Sequence, residues 1–118
     1  MWEWEPENGY DAVCRLLDDG VMPRALVCMN DRVAFGAYQA LGERGIRIPE
    51  QVSIVSFDND EVASYLRPGL STIALPHEAM GRAAVELLLS GDERPREMLV
   101  PMPVISRASI GAPARSLP

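Results

Sequence analysis

The sequence predicts an α/β fold built on a parallel sheet, and three observations carry that reading. Two short apolar runs, Ala25 to Met29 and Val52 to Phe57, are bounded by turn-forming residues, as buried strands are. Each run stops abruptly at polar residues, Asn30-Asp31 and Asp58-Asn59-Asp60. Between them Val33, Ala37, Ala40 and Leu41 recur on one helical face, with Phe35 and Tyr38 pointing elsewhere. Strand, helix and strand in so short a stretch make a right-handed βαβ unit, and alternation of this kind belongs to the α/β class.

The remaining elements follow in order. Trp2-Glu3-Trp4-Glu5 reads as a strand end or loop that packs on something earlier. Pro6 suits the first turn of a helix and Glu7 its positive end. Tyr10, Val13, Cys14 and Leu17 then keep helical spacing until Asp18-Asp19-Gly20. The ALVCM run at 25–29 has the continuous apolar pattern of a strand buried on both faces. The second helix closes at Gly45 after Arg44. Glu61 to Leu66 supplies one or two helical turns before Arg67-Pro68-Gly69, and Leu70 to Leu75 is a short extended link. Pro76 opens a last helix striped by Met80, Ala84, Leu87 and Leu88, with Gly91 past its end. Met98 to Ile105 reads as a strand, confined to a sheet edge because Pro101 and Pro103 cannot donate to a ladder. Residues 111–118, rich in proline, alanine and glycine, read as a flexible tail. Three or four strands with three helices make a short doubly wound sheet, so an N-terminal portion is expected to precede this chain.

The 118 residues suit one domain, with 47% hydrophobic and 24% charged residues as in ordinary globular proteins. No apolar run approaches the roughly 18 residues of a membrane span, and no basic-then-apolar leader opens the chain, so the expected location is the cytoplasm. Cys14 and Cys28 sit in apolar stretches and read as buried free thiols. Net charge is −6, and the arginines are scattered singly, so this segment is not expected to hold DNA itself. All 11 basic residues are arginine; without a lysine, Schiff-base, P-loop and phosphate-receiver chemistry are excluded. Asp58-Asn59-Asp60 faintly suggests a calcium loop, but Ala63 and Gly69 stand where glycine and an acidic ligand are required. No metal, cofactor or catalytic constellation is expected, and the protein is not read as an enzyme.

In open α/β sheets ligands bind beyond the carboxyl ends of the strands. Asn30-Asp31 and Asp58-Asn59 stand there, and a carboxylate accepting from two hydroxyls beside an amide that donates and accepts suits a sugar. Each also has a plainer role, as the N-cap of the helix that follows. Trp4 offers a stacking face for a pyranose or a flat base, or else a core side chain. His77, at the start of the last helix, has no sequence neighbour that would make a triad and reads first as a capping or surface residue.

The chain resembles the LacI/GalR family of transcription regulators over nearly its whole length. Ala25 to Asp31, continued by Arg32 to Ala37, resembles a hydrophobic strand followed by N-D and x-x-A-x-G-A. Gly45 to Asn59 resembles G-x-x-I-P-x-D-V-S-V-V-G-F-D-D/N. Leu70-Ser71-Thr72-Ile73 resembles L-T-T-I, Pro76, Gly81 and Ala84 to Leu88 resemble the next helix, and Arg107-Ala108-Ser109 resembles R-x-S. Trp4 to Tyr10 resembles a degraded W-S-x-x-S-G-Y, with Glu5 and Asn8 replacing small residues, and Ser56 stands where glycine is common.

The resemblance implies a Rossmann-like lobe of a type I periplasmic-binding-protein-like fold, incomplete, with the N-terminal lobe and a helix-turn-helix headpiece outside this chain. Residues 1–110 would form most of the C-terminal lobe. Ser71 to Leu75 would be a crossing segment, and helix 77–90 would pack on the first lobe. By position, Trp4, Asn30 and Asp58 match the stacking, amide and carboxylate groups that hold the effector, and His77 lies near the cleft rim. Dimer contacts fall on Val33 to Leu41 and Asp60 to Leu66, here Val33, Ala37, Tyr38, Leu41, Asp60, Tyr65 and Leu66. The implied function is binding of a small effector, a sugar in the first instance, by a homodimeric repressor whose headpiece binds operator DNA. Effector binding would shift the lobes between two global states rather than drive a chemical step. The same fold also serves sugar-binding proteins of transport or chemotaxis, which is the alternative. An enzyme or phosphate receiver using Asp58 is a more distant one, and a fragment that folds only as a dimer or a swapped assembly is compatible with the first reading.

Overall fold

A computed structural model describes residues 4–112. Helix α1 (Pro6–Asp18) begins with Pro6 in its first turn, and the Glu5 N–H donates to Asn8 Oδ1 at 3.1 Å. Those two departures from the family pattern therefore form a working N-terminal cap. Strand β1 (Ala25–Val27) leads into α2 (Asp31–Glu43), whose N-cap is Asn30, with Oδ1 accepting from the Val33 N–H at 2.8 Å. Then come β2 (Ser53–Asp58), the short α3 (Glu61–Tyr65), β3 (Ser71–Ala74), α4 (His77–Leu89) and β4 (Val104–Ile105).

The strands lie in the order β1-β2-β3-β4, with β1, β2 and β3 parallel and β4 antiparallel to β3. Register aligns Leu26 with Ile54, Asp58 with Ala74, and Ile73 with Val104. The parallel βαβ unit is as the sequence predicts. Three elements differ. The 70–75 link is a true strand, because the polar Ser71 and Thr72 find buried partners. The strand expected over 98–105 shrinks to Val104–Ile105, since the prolines before it leave no ladder to extend. The ALVCM run is covered on one face only: Val27 is 69% and Met29 61% exposed.

The core lies between the sheet and the pair α1 and α2. Leu41, Val52, Ile54 and Leu70 are fully buried, with Val13, Cys28, Ala34, Ala37, Tyr38, Ala40, Ala63 and Leu66 around them. Tyr38, expected to point elsewhere, belongs to this core and donates its hydroxyl to the Pro68 carbonyl at 2.8 Å. Cys28 is buried as expected, whereas Cys14 is half-buried.

The two helices touch backbone to backbone. A Cβ on Gly9 would lie 1.9 Å from the Val33 carbonyl oxygen, and one on Gly36 would lie 1.7 Å from that of Pro6. Only glycine permits this approach. Helix α4 is the opposite case. It has no buried residue, and Leu88 and Leu89 are 82% and 81% exposed.

The segment after β4 ties β2 to β3 through Ser109. Ser109 Oγ donates to the Ile54 carbonyl at 2.6 Å and accepts from the Ser71 N–H at 2.8 Å, while the Ile54 N–H donates to the Ser109 carbonyl at 2.9 Å. The Gly111 N–H donates to Ser53 Oγ at 3.0 Å, so the first residue of the expected tail is held. Trp2 and residues 113–118 lie outside the described residues. Among the described residues no helix is long and apolar enough to cross a membrane.

Candidate functional site

Strands β2 and β3 and the turn after β2 converge on one carboxylate, Asp31. It is fully buried in the first turn of α2. Its Oδ1 accepts from the hydroxyls of Ser56 and of Thr72, the latter at 2.8 Å, and its Oδ2 accepts from the Asp60 N–H at 2.6 Å. A buried carboxylate requires several donors, and here three segments supply them. The sequence offered Asp31 as a candidate hydroxyl-binding group or as a cap and gave no role to Ser56 or Thr72, which lie 25 and 41 positions away in the chain.

Above this group β2 ends in a left-handed turn. Asp58 and Asn59 have φ of 110° and 58°, a region uncommon for residues with a side chain and frequent at functional sites. The Asn59 N–H donates to Thr72 Oγ1 at 3.2 Å, and Arg107 Nη2 donates to Asn59 Oδ1 at 3.0 Å. The arginine is fixed in turn, its Nη1 donating to the Leu70 carbonyl at 2.8 Å. The sequence quoted Arg107-x-Ser109 as a motif; its physical role is this double staple of β3 and of the turn.

Asp58 is half-buried, and among the described residues its carboxylate accepts no hydrogen bond. Burial pushes its carboxyl above the usual carboxylate range, the charges of Asp31 and Asp60 push it the same way, and His77 opposes them. The histidine is exposed at the first turn of α4, close enough to act on Asp58 through its charge. It also borders a shallow cleft of about 450 Å³ with Leu75, Pro76, Glu78, Ala79 and Arg82.

The other predicted contacts are arranged differently. Trp4 is 43% exposed, and its carbonyl accepts from Asn30 Nδ2 at 3.2 Å. Both ends of the Asn30 amide are thus engaged, one with Trp4 and one in capping α2. Glu5 forms an ion pair with Arg32 beside them. The expected dimer residues divide sharply. Ala37, Tyr38, Leu41 and Leu66 are buried within the chain, so they have no surface to offer a partner; this corrects their assignment. Val33 is half-buried against Gly9, whereas Asp60 and Tyr65 remain exposed. Asp60 also caps α3 by accepting from the Val62 N–H at 3.2 Å. Burial, with some help from the Asp31 charge, pushes the Cys28 thiol up to about 11, which leaves it unreactive near neutrality.

A mainly parallel sheet with polar groups gathered where β2 ends is the arrangement in which open α/β sheets bind ligands, and comparisons with known proteins give the family. The family described as periplasmic binding protein-like domain matches residues 2–110. The chain is 43% identical over 91 residues to the ribose operon repressor of Haemophilus influenzae, covering 77% of this chain and 27% of that protein. It is 39% identical over 113 residues to the lactose operon repressor of Rhizobium radiobacter, covering 93% of this chain and all of that one. Among solved structures, a lac repressor dimer bound to operator and an anti-inducer matches with a TM-score of 0.86 at 29% identity, over 93% of this chain and 40% of that one. A LacI family regulator from Enterococcus faecium with bound ribose matches with a TM-score of 0.75 at 32% identity, over 92% and 41%. The chain belongs to the LacI/GalR family of transcription regulators and carries part of its periplasmic binding protein-like effector-binding domain. It spans about two fifths of each of these solved chains.

Proposed function

We propose that this chain is the effector-binding and dimerisation segment of a LacI-type repressor, and that Asp58 makes the principal contact to a sugar or sugar-like effector. The observation that carries this reading is the Asp58 carboxylate. It is half-buried, held on a left-handed turn at a strand's carboxyl end, and has no hydrogen-bond partner among the described residues. A desolvated carboxylate with open acceptor positions binds paired hydroxyls strongly. The bound ribose of the Enterococcus faecium relative supports a sugar as the effector class.

Trp4 offers the stacking face in this proposal. The Asn30 amide, already engaged at both ends, acts by holding the Trp4 carbonyl. His77 stands at the rim. The exposed apolar residues of α4, among them Met80, Val85, Leu88 and Leu89, suit a helix that packs on a first lobe. Dimer contacts would come from the exposed Asp60 and Tyr65 with the half-buried Val33. Operator binding would belong to a headpiece outside this segment, consistent with its charge of −6.

A thermal-shift screen of the full-length gene product containing this chain tests the reading, using pentoses, hexoses, sugar phosphates and purines. One ligand class is expected to raise the melting temperature, by an amount set by its concentration over Kd, and Asp58→Ala is expected to abolish the rise. A rise that Asp58→Ala leaves intact would remove Asp58 from the site.

A further inference from the structure

The turn that presents Asp58 is held from outside. Two consecutive non-glycine residues in the left-handed region, at φ of 110° and 58°, persist only where surrounding groups over-determine them. Two of the holding bonds lead to Asp31. The Asp60 N–H donates to its Oδ2 at 2.6 Å, and the Asn59 N–H donates to Thr72 Oγ1 at 3.2 Å, whose own hydroxyl donates to Asp31 Oδ1 at 2.8 Å. Ser56, two residues before Asp58 on β2, adds a third donor from within the strand that carries the turn. Each donor therefore ties a different part of 56–60 or β3 to one buried anchor at the start of α2. Acidic residues are favoured in a helix's first turn by the dipole, yet that preference needs neither full burial nor donors from β2 and β3.

We propose that Asp31, with Thr72 and Ser56 as its donors, is the positioning group of the candidate effector contact, fixing the 58–60 backbone in the shape that sends the Asp58 side chain beyond the end of β2. Its functional half rests on the reading of Asp58 given above; its structural half does not. The small substitutions Thr72→Val and Ser56→Ala remove one donor each without removing the buried carboxylate.

The test measures amide hydrogen exchange at Asn59 and Asp60 in the chain, together with calorimetric affinity for D-ribose as probe. Thr72→Val is expected to speed exchange at both amides about tenfold, since bonds to a charged group are the stronger kind. Amides of Leu41 and Ile54 should stay unchanged, and Ser56→Ala should act in the same direction more weakly. D-ribose affinity should fall by a similar factor, and Thr72→Ser, which keeps the hydroxyl, should restore both properties. Unchanged exchange at Asn59 and Asp60, or equal acceleration of every core amide, overturns the proposal, because a purely structural role predicts only the latter. If the unaltered chain does not bind D-ribose, the exchange result still decides the positioning role, and only the choice of a pentose effector fails.

Discussion

Helices α2 and α4 have equal length and comparable apolar stripes, yet their surroundings are opposite. Helix α2 is sealed between the sheet and α1, with Ala34, Ala37, Tyr38, Ala40 and Leu41 all buried. Helix α4 has no buried residue, and among its apolar side chains only Ala83 and Leu87 are half-buried. Periodicity records that a helix has a face to cover; it does not record what covers it. The difference lies in the chain around each helix. Helix α2 is flanked by two strands of one parallel unit and by a helix whose Gly9 meets Val33, while α4 follows the last parallel strand, β3, and has no buried residue.

The largest test of this contrast is at the glycine contacts. Gly36→Ala places a methyl against backbone that no side-chain rotation can clear, so a loss of more than about 3 kcal/mol is expected in urea unfolding. A loss under about 1 kcal/mol would mean that α1 and α2 are less closely packed than described. Leu41→Ala, in the same core, should cost about 3 kcal/mol and leave the oligomeric state in sedimentation unchanged. A shift toward monomer at matched stability would return Leu41 to a dimer face.

A smaller effect concerns pH. The Asp58 carboxyl titrates above its ordinary range, so between the unfolded and folded values the native state holds more protons than the unfolded state. Stability attributable to this group therefore rises as pH falls through that window. Asp58→Asn should flatten that part of the profile in urea melts taken from neutral pH to about pH 4, while effector affinity in the unaltered protein should weaken as Asp58 becomes protonated. The smallest effect is at α4. Leu88→Ser should change the stability of this chain by no more than about 0.5 kcal/mol, because its side chain is already in solvent, and a loss of several times that would show that the helix packs within the chain.

The same contrast explains what the sequence could and could not reveal. The βαβ unit was legible because β1 and β2 are short apolar runs with sharp polar ends, and Asp58 and Asn30 were legible as those ends. The inward set of α2 was legible only in part. Small and apolar residues occupy much of its circumference, so the sides turned to the sheet, to α1 and to solvent look alike in sequence; Ala37, Ala40 and Leu41 were read on one face and are buried together, whereas Tyr38, read as pointing elsewhere, joins them in the core. Strand β3 was hidden because Ser71 and Thr72 are polar, and only long-range partners, Ser109 and Asp31, make them core residues. The Asp31 network was hidden for the same reason: no local spacing links positions 31, 56 and 72.

The most direct test of the effector site is an amide chemical-shift titration of the ¹⁵N-labelled chain with D-ribose and with the best ligand of the thermal-shift screen. Saturable shifts concentrated at Asp58 to Asp60, Trp4 and His77 are expected. Shifts concentrated instead at the opposite end of the sheet, around Arg24 and Gln51, would contradict the assignment of the site to the Asp58 turn.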